Sequence, residues 1–202
     1  MHKFSRGEPP IDMAKAKEDY HNEWGAFIRS DEHIALGDSL YDRQSHFCAY
    51  CELKISQKDD GHIEHLERRS DKPERTFDWT NMFFSCNHLD SCGDFKDNTE
   101  QQFAPSDIVD PSIDDPLDFF VYGVNGVIYA KDSNNHRAEE TIRVFNLNNP
   151  RLTNMRTAIA ETVVSFIKYN PSNEQIEEFL QYMSDYNSFP SICYSLLSTS
   201  RS

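Results

Sequence analysis

The apolar positions along the chain change period twice, and those changes divide it. Met13, Ala16, Tyr20, Trp24, Phe27 and Ile28 recur at helical spacing, which predicts one N-terminal helix; Ile34, Leu36 and Leu40 predict a second. Ser30 or Asp31 suits the N-cap of that second helix, where a short side-chain oxygen can accept a free backbone N–H. From Phe47 to Asn98 the helical period is lost. Short apolar pieces around sharp turns predict strands there, with the polar SQKDDG segment (Ser56 to Gly61) as a loop or hairpin tip. Asp97 to Asp118 is acidic and interrupted by Pro105, Pro111 and Pro116, so it reads as an extended connector. Phe119 to Ala130 alternates about Gly123–Gly126 and predicts a β-hairpin. Two amphipathic helices follow. One carries Leu152, Met155, Ile159, Val163, Phe166 and Ile167; the other carries Ile176, Phe179, Leu180 and Met183, with Ser172 near its start. The predicted fold class is α+β, a small β-containing core embedded in a mainly helical protein. Its segments are 1–46 (N-terminal helices), 47–98 (compact core) and 99–202 (connector, hairpin and helical lobe).

Composition narrows the setting. A chain of 202 residues can bury one core with a smaller appended lobe. No stretch is apolar enough to span a bilayer, and the opening MHKFSRGEPP lacks the apolar centre and cleavage site of a signal peptide. The expectation is a cytoplasmic protein with reduced cysteines and no membrane partner. The formal net charge is −14, opposite to the usual balance of a nucleic-acid-binding domain. Nucleic acid would have to meet such a chain at one local site, or beside a more basic partner.

The cysteines change that picture. Cys48-Ala-Tyr-Cys51 is a C-x2-C knuckle, and Cys86 and Cys92 form a looser C-x5-C pair. Two close-spaced pairs supply the four tetrahedral ligands of one zinc ion, although His88, inside the wider spacing, is an alternative to one thiolate. A zinc with four protein ligands has no open position, so its role is structural and any chemistry lies with neighbouring residues. Cys193, in an apolar run, reads as a buried core thiol.

Between the cysteine pairs lies His62-Ile63-Glu64-His65-Leu66, followed by Asn81 and, after the last cysteine, Gly93-Asp94-Phe95-Lys96. A neutral imidazole can deprotonate water near neutral pH, and a carboxylate can hold a hard divalent ion against a phosphodiester. Neighbours Glu64 and His65 would face opposite sides of a strand, so a bulge or strand end must bring them together.

These pieces resemble the HNH (ββα-metal) endonucleases, and more closely the PtuB family, the HNH effectors of Septu and retron-associated anti-phage defence. The matching residues are Cys48-Ala-Tyr-Cys51-Glu52, Ile63-Glu64-His65-Leu66, Thr76-Phe77-Asp78-Trp79-Thr80-Asn81, Phe84-Ser85-Cys86 and Cys92-Gly93-Asp94-Phe95-Lys96-Asp97. Weaker matches are the opening Arg6 to Pro10, Asp110-Pro111, and Thr141-Ile142 with Leu147-Asn148. The resemblance implies a zinc-stabilised ββα-metal core and cleavage of DNA or RNA. His65 would be the general base and Glu64 a ligand of catalytic Mg2+ or Mn2+, while Asn81 would hold the histidine loop. It also implies a partner, a PtuA-like ABC/SMC-type ATPase; the N-terminal helices and the residues after about Asn98, which hold amphipathic helices but no catalytic constellation, are the expected docking lobe. Many HNH proteins place Asn or His where this chain has Gly93; Asp94, Asn87 or His88 could supply the missing ligand, with Asp94 preferred at a helix start. Lys96 would either contact a phosphate or pack on the surface. The rival expectations are an inactive zinc-knuckle interaction module and a stand-alone restriction-type nuclease.

Overall fold

The computed structural model describes residues 1–199. The first predicted helix is two: α1 (Met13–Asp19) and α2 (Trp24–Phe27). His21 and Asn22 between them adopt left-handed φ values of 51° and 60°, a break in backbone sign that apolar spacing does not encode. α3 (Asp31–Arg43) begins as expected, with the Ser30 hydroxyl accepting the His33 N–H at 3.1 Å. Asp31 and Glu32 in its first turn and Arg43 in its last complement the helix dipole.

The predicted strands are β1 (Gly61–His65) and β2 (Met82–Cys86), antiparallel, with Gly61 opposite Cys86 and His65 opposite Met82. The SQKDDG segment is a loop whose Lys58–Asp60 turn leads into β1. α4 (Cys92–Asn98) follows β2, and α3 and α4 both pack against this strand pair. The connector is irregular except for a turn at Pro105–Asp107 and the short α5 (Pro116–Phe119), and it buries Ile108 and Val109. β3 (Phe120–Tyr122) and β4 (Ile128–Ala130) form the predicted hairpin.

α6 (His136–Val144), α7 (Pro150–Ile167), α8 (Asn173–Tyr186) and α9 (Pro190–Thr199) complete the lobe. A Cβ on Gly126, whose φ is 73°, would fall 2.0 Å from the Thr153 carbonyl oxygen, so only glycine lets the hairpin tip lie on α7. Ser172 and Gln175 form a reciprocal capping box at the start of α8. Buried Arg156 of α7 donates to the Leu147 carbonyl at 2.7 Å and lies over the Tyr122 and Phe189 rings. Apolar side chains from every segment, among them Phe27, Leu40, Phe83, Phe145, Val163 and Ile192, join one continuous core. Cys193 is buried in it, and burial pushes its thiol pKa up to about 12. The chain is α+β, as predicted. Among the described residues no helix is long and apolar enough to cross a membrane.

Candidate functional site

The C-x2-C pair sits in a tight turn. Cys48 and Leu53 close it through Cys48 N–H to the Leu53 carbonyl at 2.9 Å, and Glu52 turns the chain with φ 67°. The Leu53 N–H then points at Cys51 Sγ, 3.4 Å away. Cys86 ends β2 and Cys92 opens α4, so the hairpin and the helix carry the second pair to the first. All four cysteines are buried, and their Sγ atoms lie within 4.8 Å of one another. The separations are 3.7 Å for Cys48 to Cys92 and 3.8 Å for Cys51 to Cys86. Sulfurs bound at about 2.3 Å around a tetrahedral zinc are spaced by about 3.8 Å. The cluster fits one such ion. Burial opposes ionisation of Cys48, but hydrogen bonds from the other three thiols outweigh it and hold its pKa well below the ordinary value. His88, the alternative ligand, lies outside the cluster.

A cleft of about 730 Å³ opens beside this centre and brings together His62, Glu64, His65 and Asp94. His65 is the last residue of β1, so the strand end supplies the change of direction that the sequence required. Its Nε2–H donates to the Thr76 carbonyl at 2.9 Å, which leaves the lone pair on Nδ1. Burial lowers its pKa to about 4, and the imidazole is neutral near pH 7. Trp24 of α2 packs edge-on against its ring at 4.5 Å between centroids.

Asn81 is fully buried and clamps the long β1–β2 connection. Its Oδ1 accepts the Glu67 N–H at 2.8 Å, and its Nδ2 donates to the Glu67 and Arg75 carbonyls at 3.0 and 3.3 Å. That connection carries Thr76, so Asn81 positions His65 through the backbone. The far end is fastened by Arg6, which donates to the Trp79 and Met82 carbonyls and lies 4.3 Å from the Phe83 ring centroid.

Glu64 and Lys96 differ most from the sequence reading. Lys96 neither packs on the surface nor reaches into solvent: it is fully buried. Its ammonium lies 2.8 Å from Glu64 Oε1 and donates to the His65 carbonyl at 2.9 Å and to Asp97 Oδ1 at 2.5 Å. Burial alone would raise the Glu64 carboxyl pKa, but His62 and Lys96 outweigh it and hold it below its ordinary value. The Glu64–Lys96 contact is ionic rather than a directed hydrogen bond, and Oε1 is left without a donor. The Lys96 ammonium already supplies a cation at that oxygen, so a metal ion at Glu64 would share the carboxylate with it. The cleft carboxylates assemble no group of three protein donors; among the described residues only the four cysteines do.

The surroundings of Gly93 leave no room for the Asn or His side chain that the resemblance leads one to expect there. A Cβ there would lie 2.5 Å from Glu64 Cδ and 2.6 Å from Oε2, so the carboxylate occupies the space a side chain would need. A Gly93→Ala variant is expected to lose about 1–3 kcal/mol of stability by overpacking, measured by denaturant unfolding. Because Glu64→Ala also strands the buried Lys96 ammonium, the check is a double-mutant cycle: Gly93→Ala should cost little further stability in a Glu64→Ala background, and a Gly93→Ala protein as stable as the parent would refute the contact.

Asp94 lines the cleft from the first turn of α4. Asn87 does not: its Oδ1 accepts from His62 Nδ1 at 2.6 Å and its Nδ2 donates to the Asp59 carbonyl, so it orients His62. Burial opposes protonation of His62, but the Glu64 and Asn87 partners raise its pKa to about 9. Sequence reasoning missed His62 and Ser85 as members of the site. His62 shares a strand face with Glu64 two residues on, a signal that was available. Buried Ser85 links the two halves, 3.9 Å from Cys48 Sγ and accepting the Gly93 N–H at 3.3 Å. A scan of protein-family models finds none that matches the chain, and a search of curated proteins finds no match.

Proposed function

We propose that the chain is a metal-dependent HNH endonuclease that cleaves phosphodiester bonds of DNA or RNA, with Cys48, Cys51, Cys86 and Cys92 holding one structural zinc. The observation that carries this reading is His65: a neutral imidazole with Nε2–H fixed on a backbone carbonyl and its Nδ1 lone pair available in a carboxylate-bearing cleft. The order β1, β2, α4 around the cysteines supports a ββα-metal core. In this scheme His65 takes the proton of the attacking water, and Asn81 keeps the ring aimed by clamping the Thr76 loop. Mg2+ or Mn2+ bound by Glu64 and Asp94 would stabilise charge on the scissile phosphate and on the leaving oxygen. Lys96 holds Glu64 ionised and in place.

The resemblance to the PtuB family makes the activity that of an anti-phage effector acting beside a PtuA-like ATPase. The net charge of −14 supports a partner that supplies the wider nucleic-acid contact. His65→Ala is expected to reduce cleavage by at least about a hundredfold, assayed with Mg2+ or Mn2+ and with the ATPase present. Equal cleavage by the two proteins would refute the assignment.

One observation favours a second reading. Glu64 is already paired with Lys96 and His62, as in a structural carboxylate of an inactive zinc-knuckle interaction module. That reading expects no cleavage by either protein under any metal.

A further inference from the structure

Two arginines line the cleft, and they differ in what they already hold. Arg68 is fully engaged: it pairs with Asp71 and Asp97 at 3.1 Å and donates to the Lys96 and Gln101 carbonyls at 2.7 and 2.8 Å. Arg69 is exposed and makes no hydrogen bond or ion pair with any described residue. Its guanidinium instead rests over the Trp24 ring, 5.5 Å from the centroid. Trp24 is the residue whose edge abuts His65 at 4.5 Å, with ring planes at 87°. One buried indole therefore contacts both the imidazole and an unpaired guanidinium, and places them around the same ring.

An anionic backbone entering this cleft would meet Glu64, Asp94 and Asp97, and it needs a local cation that is not already neutralised. The planar guanidinium matches two phosphate oxygens at once, and its stacking on an aromatic face removes much of the side-chain freedom that binding would otherwise cost. We infer that Arg69 grips a backbone phosphate of the nucleic-acid strand next to the scissile bond, as a contact that does not read base sequence. Trp24 itself is nearly inaccessible, at 6% exposure, so it serves as a support for Arg69 rather than as a base-stacking platform. The inference rests on the nuclease reading above and names a substrate contact within it.

The test uses the full chain in a His65→Ala background, with a labelled single-stranded oligonucleotide and binding followed by anisotropy across a KCl series. Arg69→Ala is expected to weaken binding about tenfold, by a similar factor for oligonucleotides of different sequence. It should also reduce the slope of log affinity against log salt by about 0.7. Arg69→Lys, which keeps the charge but not the fork, should retain the slope and only part of the affinity. Unchanged affinity and slope in Arg69→Ala, or a loss confined to one base sequence, would overturn the inference. So would a wild-type chain whose His65-dependent cleavage keeps the same KM after Arg69→Ala; that outcome leaves the nuclease reading standing. No binding by the His65→Ala parent, with no cleavage by the wild type when the ATPase is present, would remove the inference and the nuclease reading together.

Discussion

Stripping the metal from the four-cysteine centre is expected to unfold the middle of the chain, not merely loosen it. The four thiols are buried against one another and join the two halves of the region: the Cys48 turn on one side, the end of β2 and the start of α4 on the other. Structural zinc contributes about 10–16 kcal/mol in small zinc-binding peptides, against a total stability of about 5–15 kcal/mol for an ordinary domain. Loss of that term exceeds what the surrounding apolar packing can offset. Purified protein should carry one zinc per chain. A strong chelator, or Cys48→Ser with Cys92→Ser, should abolish near-ultraviolet dichroism and cooperative melting. Ligation needs thiolates, so metal affinity should fall as pH is lowered. A double-serine variant that melts like the parent would exclude a structural metal.

The second large effect is expected from Lys96→Met. The substitution keeps most of the side-chain volume but leaves buried Glu64 with His62 alone as a cationic partner, and His65 and Asp97 lose a donor. Removing one partner of a buried ion pair costs about 3–5 kcal/mol, because the remaining charge cannot be solvated. The diagnostic is the double variant. Lys96→Met with Glu64→Gln removes both charges and should recover a large part of the loss in urea unfolding, whereas Glu64→Gln alone leaves the ammonium with Asp97. If the double variant is no more stable than Lys96→Met alone, the pair does not carry the energy assigned to it.

Local features were legible in the sequence, and those set by contacts between distant residues were not. Ser30 as N-cap, the hairpin about Gly123–Gly126, and the helices around Leu152–Ile167 and Ile176–Met183 follow from turn chemistry and periodicity alone. The convergence of four cysteines followed from their spacing, and the geometry selected them over His88. α6 escaped notice because its buried positions are Ala138, Thr141 and Val144, small or polar residues that leave little apolar signal. The burial of Lys96 was not legible either. A lysine reads as a surface residue unless its partner is known, and Glu64 lies on a different element. Gly93 likewise looked like a missing ligand because nothing in its neighbours shows that a carboxylate from β1 fills the space above it.

The turn around Cys51 is also tied to the far end of the chain. Glu52, fully buried, accepts the Ser191 hydroxyl at 2.7 Å, and its backbone carbonyl accepts the Phe189 N–H at 2.9 Å. During synthesis the last cysteine of the cluster emerges well before Ser191, an interval of about 100 residues, or about 5–20 s at ordinary elongation rates. The nascent chain can therefore load its ion while Glu52 is still solvated, and α9 closes over the filled turn afterwards. Folding of the released chain without metal meets the opposite order, with Glu52 and α9 able to pair before the thiols converge. Refolding yield should then depend on whether zinc is added before or after the denaturant is diluted.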